Sequence, residues 1–311
     1  MSDEKKIDNL IKNARHGKLD EVIKLLEEGV DINSKEPRGY SRTALHVATE
    51  SGQIDIMTYL IDNEADLTAT DAGSYNPLMS VVQKIYMDDG ELYRLSKTKK
   101  RYINQDENGK YIPGYWADED RPDKLKEQQD EIIRINEFQE KRIEAIKFLL
   151  EKAKENNILN DILTQGDMHG LNAIQLSYRG RYEIIQLLLD NGADPKDILQ
   201  ETYFAETVDE NVLILLMEYA IKDPNYEPGE DAHPRVEFMY NHYRHRREEM
   251  HNLIDNDDNE NNIADKNKLP ENVSKEIQSF IDGSGKRKSR KSKSKKIVKK
   301  HKTRKNKKSK K

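Results

Sequence analysis

The sequence predicts an all-α solenoid, in which short helix pairs stack side by side. One phrase recurs along the chain: KLDEVIKLLEEGVD at 18–31, QIDIMTYLIDNEAD at 53–66 and RYEIIQLLLDNGAD at 181–194, with its centre again at 142–150 (RIEAIKFLL). Every copy spaces its apolar residues for one face of a helix. With 36% charged and 35% hydrophobic residues, the composition also favours a repeat architecture, because stacked repeats need only a small core.

The recurring phrase predicts the second helix of each pair. Glycine or asparagine follows the copies, as expected where a helix ends in a left-handed turn. We expect each helix to bury one stripe, made of Val22, Leu25 and Leu26 in the first copy, Ile56, Tyr59 and Leu60 in the second, and Ile184, Leu187 and Leu188 in the third.

Short motifs open the first helix of three pairs: RTALH at 42–46, YNPLM at 75–79 and LNAIQ at 171–175. With TALHVA at 43–48, DMHG at 167–170 and NGAD at 191–194, the chain resembles the ankyrin repeat family. The resemblance implies an ankyrin-repeat solenoid of about five repeats over 1–223, with a degenerate last copy near 200–222. It also implies a structural role for His46, whose counterpart in the family bonds the backbone of the neighbouring turn.

The spacing of the copies predicts a helical insertion. Asp31 and Asp66 lie 35 residues apart, two more than the family period of about 33, and the loop at 36–38 accounts for the difference. Asp66 and Asp194 lie 128 residues apart, where two periods need about 66. We place most of the excess at about 87–140, within the third repeat, and a smaller surplus in a loop at 156–165. Residues 122–150 are predicted to form one helix.

The insertion carries Trp116, the only tryptophan of the chain, close to Tyr111 and Tyr115. Tryptophan and tyrosine are enriched at the hot spots of interfaces, so Trp116 is a candidate partner-binding residue. The alternative is that this aromatic cluster only fixes the insertion onto the repeats.

The charge is divided unevenly. Residues 286–311 hold 17 of the 53 Lys and Arg, and all 58 Asp and Glu precede them. We expect a disordered basic tail over 284–311, because dense like charge repels itself and there is little to bury. It could direct nuclear targeting or contact nucleic acid without sequence specificity, or only improve solubility or fold back on the acidic body. The nuclear-targeting candidates are Lys286, Arg287, Lys288, Arg290 and Lys291.

A linker and an amphipathic helix are expected over 224–267, with the helix at 235–254. His242 and His245 on this helix raise the question of a metal site. Arginines surround them, and no carboxylate or cysteine stands at a recognised ligand spacing. We therefore expect a solvated basic face, and no metal or cofactor.

Residues 268–283 contain LPENVSKEIQSFID, which resembles the first helix of an F-box. Truncated segments of this kind occur at the carboxyl end of poxvirus ankyrin proteins. The resemblance implies contacts with a ubiquitin ligase through Leu269, Pro270, Val273, Ile277 and Phe280. The other interpretation is a small amphipathic helix that packs on this chain or another one.

Several classes of function are excluded. The chain has no cysteine, which rules out disulfides, thiol catalysis and cysteine zinc sites. It contains no nucleophile elbow, no phosphate-binding glycine loop and no HExxH motif, and its apolar runs are too short for a membrane span. We therefore expect neither an enzyme nor a small-molecule substrate, and, with no signal peptide, an intracellular location.

The expected function is protein binding by a monomeric scaffold. In ankyrin repeats partners lie across the turn tips and the row of first helices, which gives as candidates Arg38, Tyr40, Arg42, Tyr75, His169, Leu171, Tyr178 and Arg179. The alternative is a substrate-recruiting adaptor of a cullin-type ubiquitin ligase. The residue usage also resembles ankyrin repeat proteins of giant DNA viruses, which implies the cytoplasm or nucleus of a host cell.

Overall fold

The protein is helical in a computed structural model that describes residues 2–97, 104–105, 111–112, 122–178, 181–223 and 225–255. The helices are α1 Asp3–Arg15, α2 Leu19–Glu27, α3 Ala44–Glu50, α4 Ile54–Asp62, α5 Pro77–Lys97, α6 Pro122–Glu155, α7 Leu159–Thr164, α8 Ala173–Ser177, α9 Tyr182–Asp190, α10 Lys196–Leu199, α11 Thr202–Thr207, α12 Glu210–Ala220 and α13 Pro234–Asp255. Two strands of two residues, β1 Asn104–Gln105 and β2 Tyr111–Ile112, pair antiparallel. The all-α prediction is otherwise confirmed for these residues.

The second helices bury one stripe in a common register. Equivalent buried positions are occupied by Val22, Met57, Ile146 and Ile185, and one turn later by Leu25, Leu60, Leu149 and Leu188. Leu26, Tyr59 and Leu187 are only half-buried, so the stripe predicted from the sequence was slightly displaced around the helix. The difference arises because the neighbouring pair covers the side of the helix that faces it and not the whole apolar arc.

Three turns ahead of the first helices are closed by the same backbone hydrogen bond. The amide of Glu36 donates to Arg42 O, that of Asp71 to Tyr75 O and that of Asp167 to Leu171 O, each at 2.9 Å. The first turn holds two more residues than the other two. This confirms the predicted position of the two residues that lengthen the first spacing.

The first helices begin with equivalent caps. Thr43 Oγ1, Asn76 Oδ1 and Asn172 Oδ1 each accept a hydrogen bond from the amide three residues later, at 3.4, 2.9 and 3.2 Å. Such caps satisfy amides that have no partner within the helix. The three caps fix the start of α3, α5 and α8 directly after the turns.

His46 connects its repeat to the next one. Its Nε2 lies 2.9 Å from Tyr75 O, and its side chain is fully buried. Gln175, at the equivalent place in α8, donates from Nε2 to Asp197 O at 3.0 Å. The structural role predicted for His46 is confirmed, and an amide performs the same role in α8.

The third pair is extended at the end of its helices opposite the turns. α5 runs to Lys97 and α6 begins at Pro122, so the helix predicted over 122–150 is confirmed. Leu92, Ile132 and Ile135 form a small separate core between them. The segment predicted as a loop at 156–165 instead contains α7, because Ile162 and Leu163 are apolar neighbours that become buried.

The carboxyl-terminal part begins with α12, which packs on α9 and α10. The chain divides into two compact units between Tyr240 and Asn241, within α13. α13 confirms the helix predicted over 235–254, and its Val236 and Met239 are buried. The F-box-like segment, the basic tail and most of the loop between α5 and α6 lie outside the described residues.

Candidate protein-binding surface

The three turns form one continuous surface, the tip ridge, made of residues 36–42, 71–75 and 167–171. The amide of Ala72 donates to Tyr40 O at 2.7 Å, and the amide of Met168 donates to Gly73 O at 3.1 Å. Direct backbone bonds therefore join each tip to the next. They fix the spacing between side chains that come from distant parts of the sequence.

A carboxylate organises each tip from within. Asp71 Oδ1 accepts hydrogen bonds from the amides of Gly73 and Tyr75, at 2.7 and 3.0 Å. Asp167 Oδ1 accepts from His169 and Leu171 in the same pattern, at 2.8 and 2.9 Å. Because each oxygen accepts hydrogen bonds from two amides of its own turn, these bonds constrain the backbone conformation of the tips.

In the first tip Glu36 replaces the aspartate. Its Oε1 accepts from the amide of Tyr40 at 3.0 Å and from Nε of Arg42 at 2.9 Å. Arg42 also bonds Glu50 at 2.9 Å, and its guanidinium lies 5.3 Å from the centre of the Tyr40 ring. The guanidinium of Arg42 therefore packs against the Tyr40 ring.

Large side chains project from the outer two tips. Tyr40 is 67% exposed and Met168 is 68% exposed, and small Ala72 and Gly73 lie between them. Arg38 and His169, beside the two large side chains, are exposed as well. The ridge thus presents two large exposed side chains, one beside Arg38 and the other beside His169. The small residues of the second tip lie between them.

The structure separates the predicted partner-binding residues into groups. Arg38, Tyr40 and His169 are exposed on the ridge, whereas the residues that close the three tips, Arg42, Tyr75 and Leu171, are half-buried. Tyr75 forms a hydrogen bond with Asp167, and its pKa is raised, chiefly by burial. Tyr75 therefore connects the second tip to the third, whereas Arg42 bonds Glu36 and Glu50 within its own repeat.

The remaining candidates lie elsewhere. Tyr178, at the end of α8, stacks edge-on against Phe204 with ring centres 4.6 Å apart and lies near Tyr203, at 6.3 Å. Trp116, Arg179, the five F-box-like candidates and the five nuclear-targeting candidates lie outside the described residues.

Sequence reasoning did not single out Met168 or Tyr203, which is 57% exposed. Met168 could have been found, because it follows Asp167 at a turn position whose side chain points away from the repeat. Tyr203 lies on α11, in the segment predicted to be a degenerate copy, and carried no comparable signal.

A buried ionic network lies where α3, α5 and α6 meet. Arg142 donates to Glu50 O at 2.6 Å and to Asp88, and Gln139 donates to Asp89 at 2.8 Å. Burial raises the pKa of Glu50 and that of Asp89, with nearby arginines opposing the shift. The network joins the second repeat to the extended third pair.

In the described part of the chain, no three His, Cys, Asp or Glu side chains are placed together so that they could hold a metal ion. No helix there is both long enough and apolar enough to cross a membrane.

Comparison with known proteins agrees with this geometry. Residues 9–87 match a family model described as ankyrin repeats (3 copies). The amino-terminal region carries ankyrin repeats. Ankyrin repeats generally mediate protein–protein interaction and are typically non-catalytic.

The chain is also similar to acyl-CoA-binding domain-containing protein 2 of Arabidopsis thaliana. The two are 36% identical over 63 residues, which is 20% of this chain and 17% of that protein. The similarity therefore spans less than a fifth of that relative.

Proposed function

We propose that this protein is a non-enzymatic interaction scaffold that binds a protein partner across the tip ridge. The observation that carries the proposal is the row of hydrogen-bonded tips that exposes Tyr40 and Met168. Tyrosine offers a large contact area at a small entropic cost, and a pre-ordered backbone loses little freedom on binding. Both properties favour an interface.

Substitutions on the ridge test this proposal. We expect the double variant Tyr40→Ala and Met168→Ala to lose at least tenfold in affinity for the proteins that co-purify with the full chain, because removal of hot-spot side chains weakens binding by about 2 kcal/mol or more each. Tyr182→Ala, on the second helix α9, is the matched control for an exposed tyrosine.

Quantitative mass spectrometry of the purified complexes, followed by titration of the recovered partner, gives the readout. Loss of the same proteins in the double variant and their retention by the Tyr182 control would support the ridge. Equal recovery from both variants would place the binding surface elsewhere.

A ligase adaptor is the second candidate, and the sequence at 269–282 favours it. In that case the ridge would hold the target, and Leu269, Pro270, Val273, Ile277 and Phe280 would hold the ligase. We expect a chain that lacks 268–283 to lose cullin-type ligase subunits and to keep the other partners. Recovery of the same proteins with and without the segment would contradict the adaptor.

The basic tail would set the location of the scaffold, in the nucleus or, through contact with nucleic acid, on a polyanion. Removal of 286–311 should abolish nuclear accumulation in eukaryotic cells. If the tail instead holds nucleic acid, binding should fall steeply between low and moderate salt, because many lysines release counterions on binding. Retained localisation and retained binding after the deletion would remove both roles.

A further inference from the structure

An open cavity lies between the second helices of the first two repeats, near the ends of α2 and α4. Its volume is about 270 Å³, and its walls are Leu26, Glu27, Val30, Ile32, Tyr59 and Asn63. The four apolar and aromatic residues are half-buried, whereas the carboxylate and the amide side chain are exposed. The α2–α4 cavity is thus an apolar recess that carries two exposed polar side chains.

The size of the α2–α4 cavity suits one side chain. Pockets for whole small molecules measure about 300–1,000 Å³, and a cavity of about 150 Å³ holds a benzene ring. The α2–α4 cavity falls between these values. We therefore expect it to take a single aromatic side chain and not a cofactor.

Glu27 brings an unused acceptor to the cavity. In the described part of the chain its carboxylate forms no hydrogen bond and no ion pair, although Lys6 binds the neighbouring Glu28 at 3.0 Å. Asn63 does not supply the missing donor, because its Nδ2 donates to Tyr59 O of its own helix at 2.8 Å. The carboxylate of Glu27 therefore remains available to a donor from outside.

The last two second helices show how the equivalent place is filled elsewhere in the chain. α12 has buried residues at 212, 213, 216 and 217, in the same spacing as 56, 57, 60 and 61 of α4. This register gives Tyr219 the position of Asn63. In the same way, Asp190 of α9 holds the position of Glu27. The hydroxyl of Tyr219 donates to Asp190, so a phenol crosses from one second helix to the carboxylate of the one before.

We propose that the α2–α4 cavity binds a tyrosine side chain of a partner protein, whose hydroxyl donates to Glu27. The incoming ring would take the place that Tyr219 takes between α9 and α12. It would also lie beside the ring of Tyr59, and aromatic pairs attract each other in tilted arrangements. Aromatic side chains that fill pockets are typical anchors of interfaces. This inference does not depend on the tip ridge.

A lysine is the other kind of donor that such a carboxylate could accept. Between α4 and α6 the position of Asn63 is held by Lys152. Its pKa is raised by a hydrogen bond with Glu155 and, to a smaller extent, by Asp62, which holds the position of Glu27. An ammonium group is strongly hydrated, however, and gains little from apolar walls. The walls of the α2–α4 cavity therefore favour a phenol over an ammonium.

Capped amino acids test the chemistry of the occupant. Methyl NMR spectra of the full chain report on Leu26, Val30 and Ile32 during titration with N-acetyl-tyrosinamide. We expect shifts centred on these methyl groups that saturate in the millimolar range, because the probe is small. N-acetyl-phenylalaninamide lacks the hydroxyl and should bind about fivefold more weakly. Equal binding of the two probes, or tighter binding of N-acetyl-lysinamide, contradicts the proposal.

A substitution that fills the cavity from within tests its position. Asn63→Tyr copies the arrangement of Tyr219, so we expect this variant to melt no lower than the natural chain and to lose all measurable binding of N-acetyl-tyrosinamide. Asn191→Tyr is the matched control, because Asn191 bonds its own helix in the same way, at 2.8 Å to Leu187 O. Binding that persists in a folded Asn63→Tyr chain overturns the proposal.

Two further variants separate the hydroxyl contact from the apolar contact. Glu27→Ala should weaken binding of the tyrosine probe about fivefold and leave that of the phenylalanine probe unchanged, whereas Glu21→Ala, at an exposed position of α2, should affect neither. Tyr219→Ala should open the equivalent place and give the tyrosine probe a second site, seen at the methyl groups of Leu189. If a folded Tyr219→Ala chain gains no second site, the comparison between the two places fails and the proposal with it.

Discussion

The two ends of the third repeat differ in how strictly they keep the repeat pattern. At the turn end, Asp71, Tyr75 and Asn76 form the hydrogen bonds that their counterparts form in the neighbouring repeats. At the opposite end, α5 and α6 leave the pattern for more than two turns and return at Arg142. Regularity is therefore maintained where backbone bonds join neighbours, and it is relaxed where side chains alone make the connection.

The largest effect is expected from a substitution that disturbs the contact between Gly52 and Lys141 of α6. Gly52 has a φ of +66°, and a Cβ there would overlap Lys141 Cβ at 2.5 Å. We expect Gly52→Ala to lower the free energy of unfolding by about 3 kcal/mol, as backbone strain and overlap add. The control is Gly29→Ala, where φ is +87° and a Cβ would meet no described atom within 4 Å beyond the adjacent residues, and a loss of about 1 kcal/mol is expected. Equal losses in urea unfolding would show that the contact with α6 contributes nothing.

The next effect comes from the buried ionic network. The side chains of Arg142 and Asp88 are only 7% and 14% exposed. Asp88→Ala leaves Arg142 without its carboxylate in a buried place, and we expect a loss of about 3 kcal/mol or somewhat less, since Glu50 O remains. Glu131→Ala removes an equivalent but exposed pair with Arg134 and should change stability by less than about 0.5 kcal/mol. A similar result for both variants would mean that water reaches the network.

The third effect lies at the regular end and depends on pH. Burial lowers the pKa of His46 below its usual value of 6.5. The folded protein thus binds a proton less readily than the unfolded chain, so stability is complete above about pH 6.5 and falls as pH decreases below it. His46→Gln should keep the bond to Tyr75 O, as Gln175 does at Asp197, and lose this part of the pH dependence. Parallel melting curves for both chains between pH 7.5 and 5.5 would contradict this role.

The smallest effect concerns strain in the tips. Ser74 has a φ of 63°, and Gly170 holds the equivalent place in the next tip with a φ of 80°. We expect Ser74→Gly to raise stability by about 0.5 kcal/mol, because relief of left-handed strain exceeds the extra entropy of the unfolded chain. Gly170→Ser should lower stability by a similar amount. Thermal denaturation of the two variants measures both, and shifts of the same sign would contradict the equivalence of the two positions.

The repeats and their turns could be predicted from the sequence, because short motifs such as TALHVA and DMHG specify local hydrogen bonds. The exposure of the candidate surface residues could be predicted less well. Tyr40 is exposed, yet Arg42 and Tyr75 are half-buried, since the sequence does not show that Glu36 and Asp167 bind them. The helix α7 depends on tertiary packing against α6 and α8, and the recurring phrase contains no information on that packing.

The position of the extension also has a consequence for protein engineering. The α5–α6 pair departs from and returns to the repeats at one point, where Gly52 contacts Lys141 and Arg142 bonds Asp88. The parts of α5 and α6 beyond these contacts, and the segment that joins them, can change in length without moving the tips. The stretch between 98 and 121 is thus a natural position for grafting a foreign loop or reporter domain onto the repeats while the tip ridge keeps its geometry.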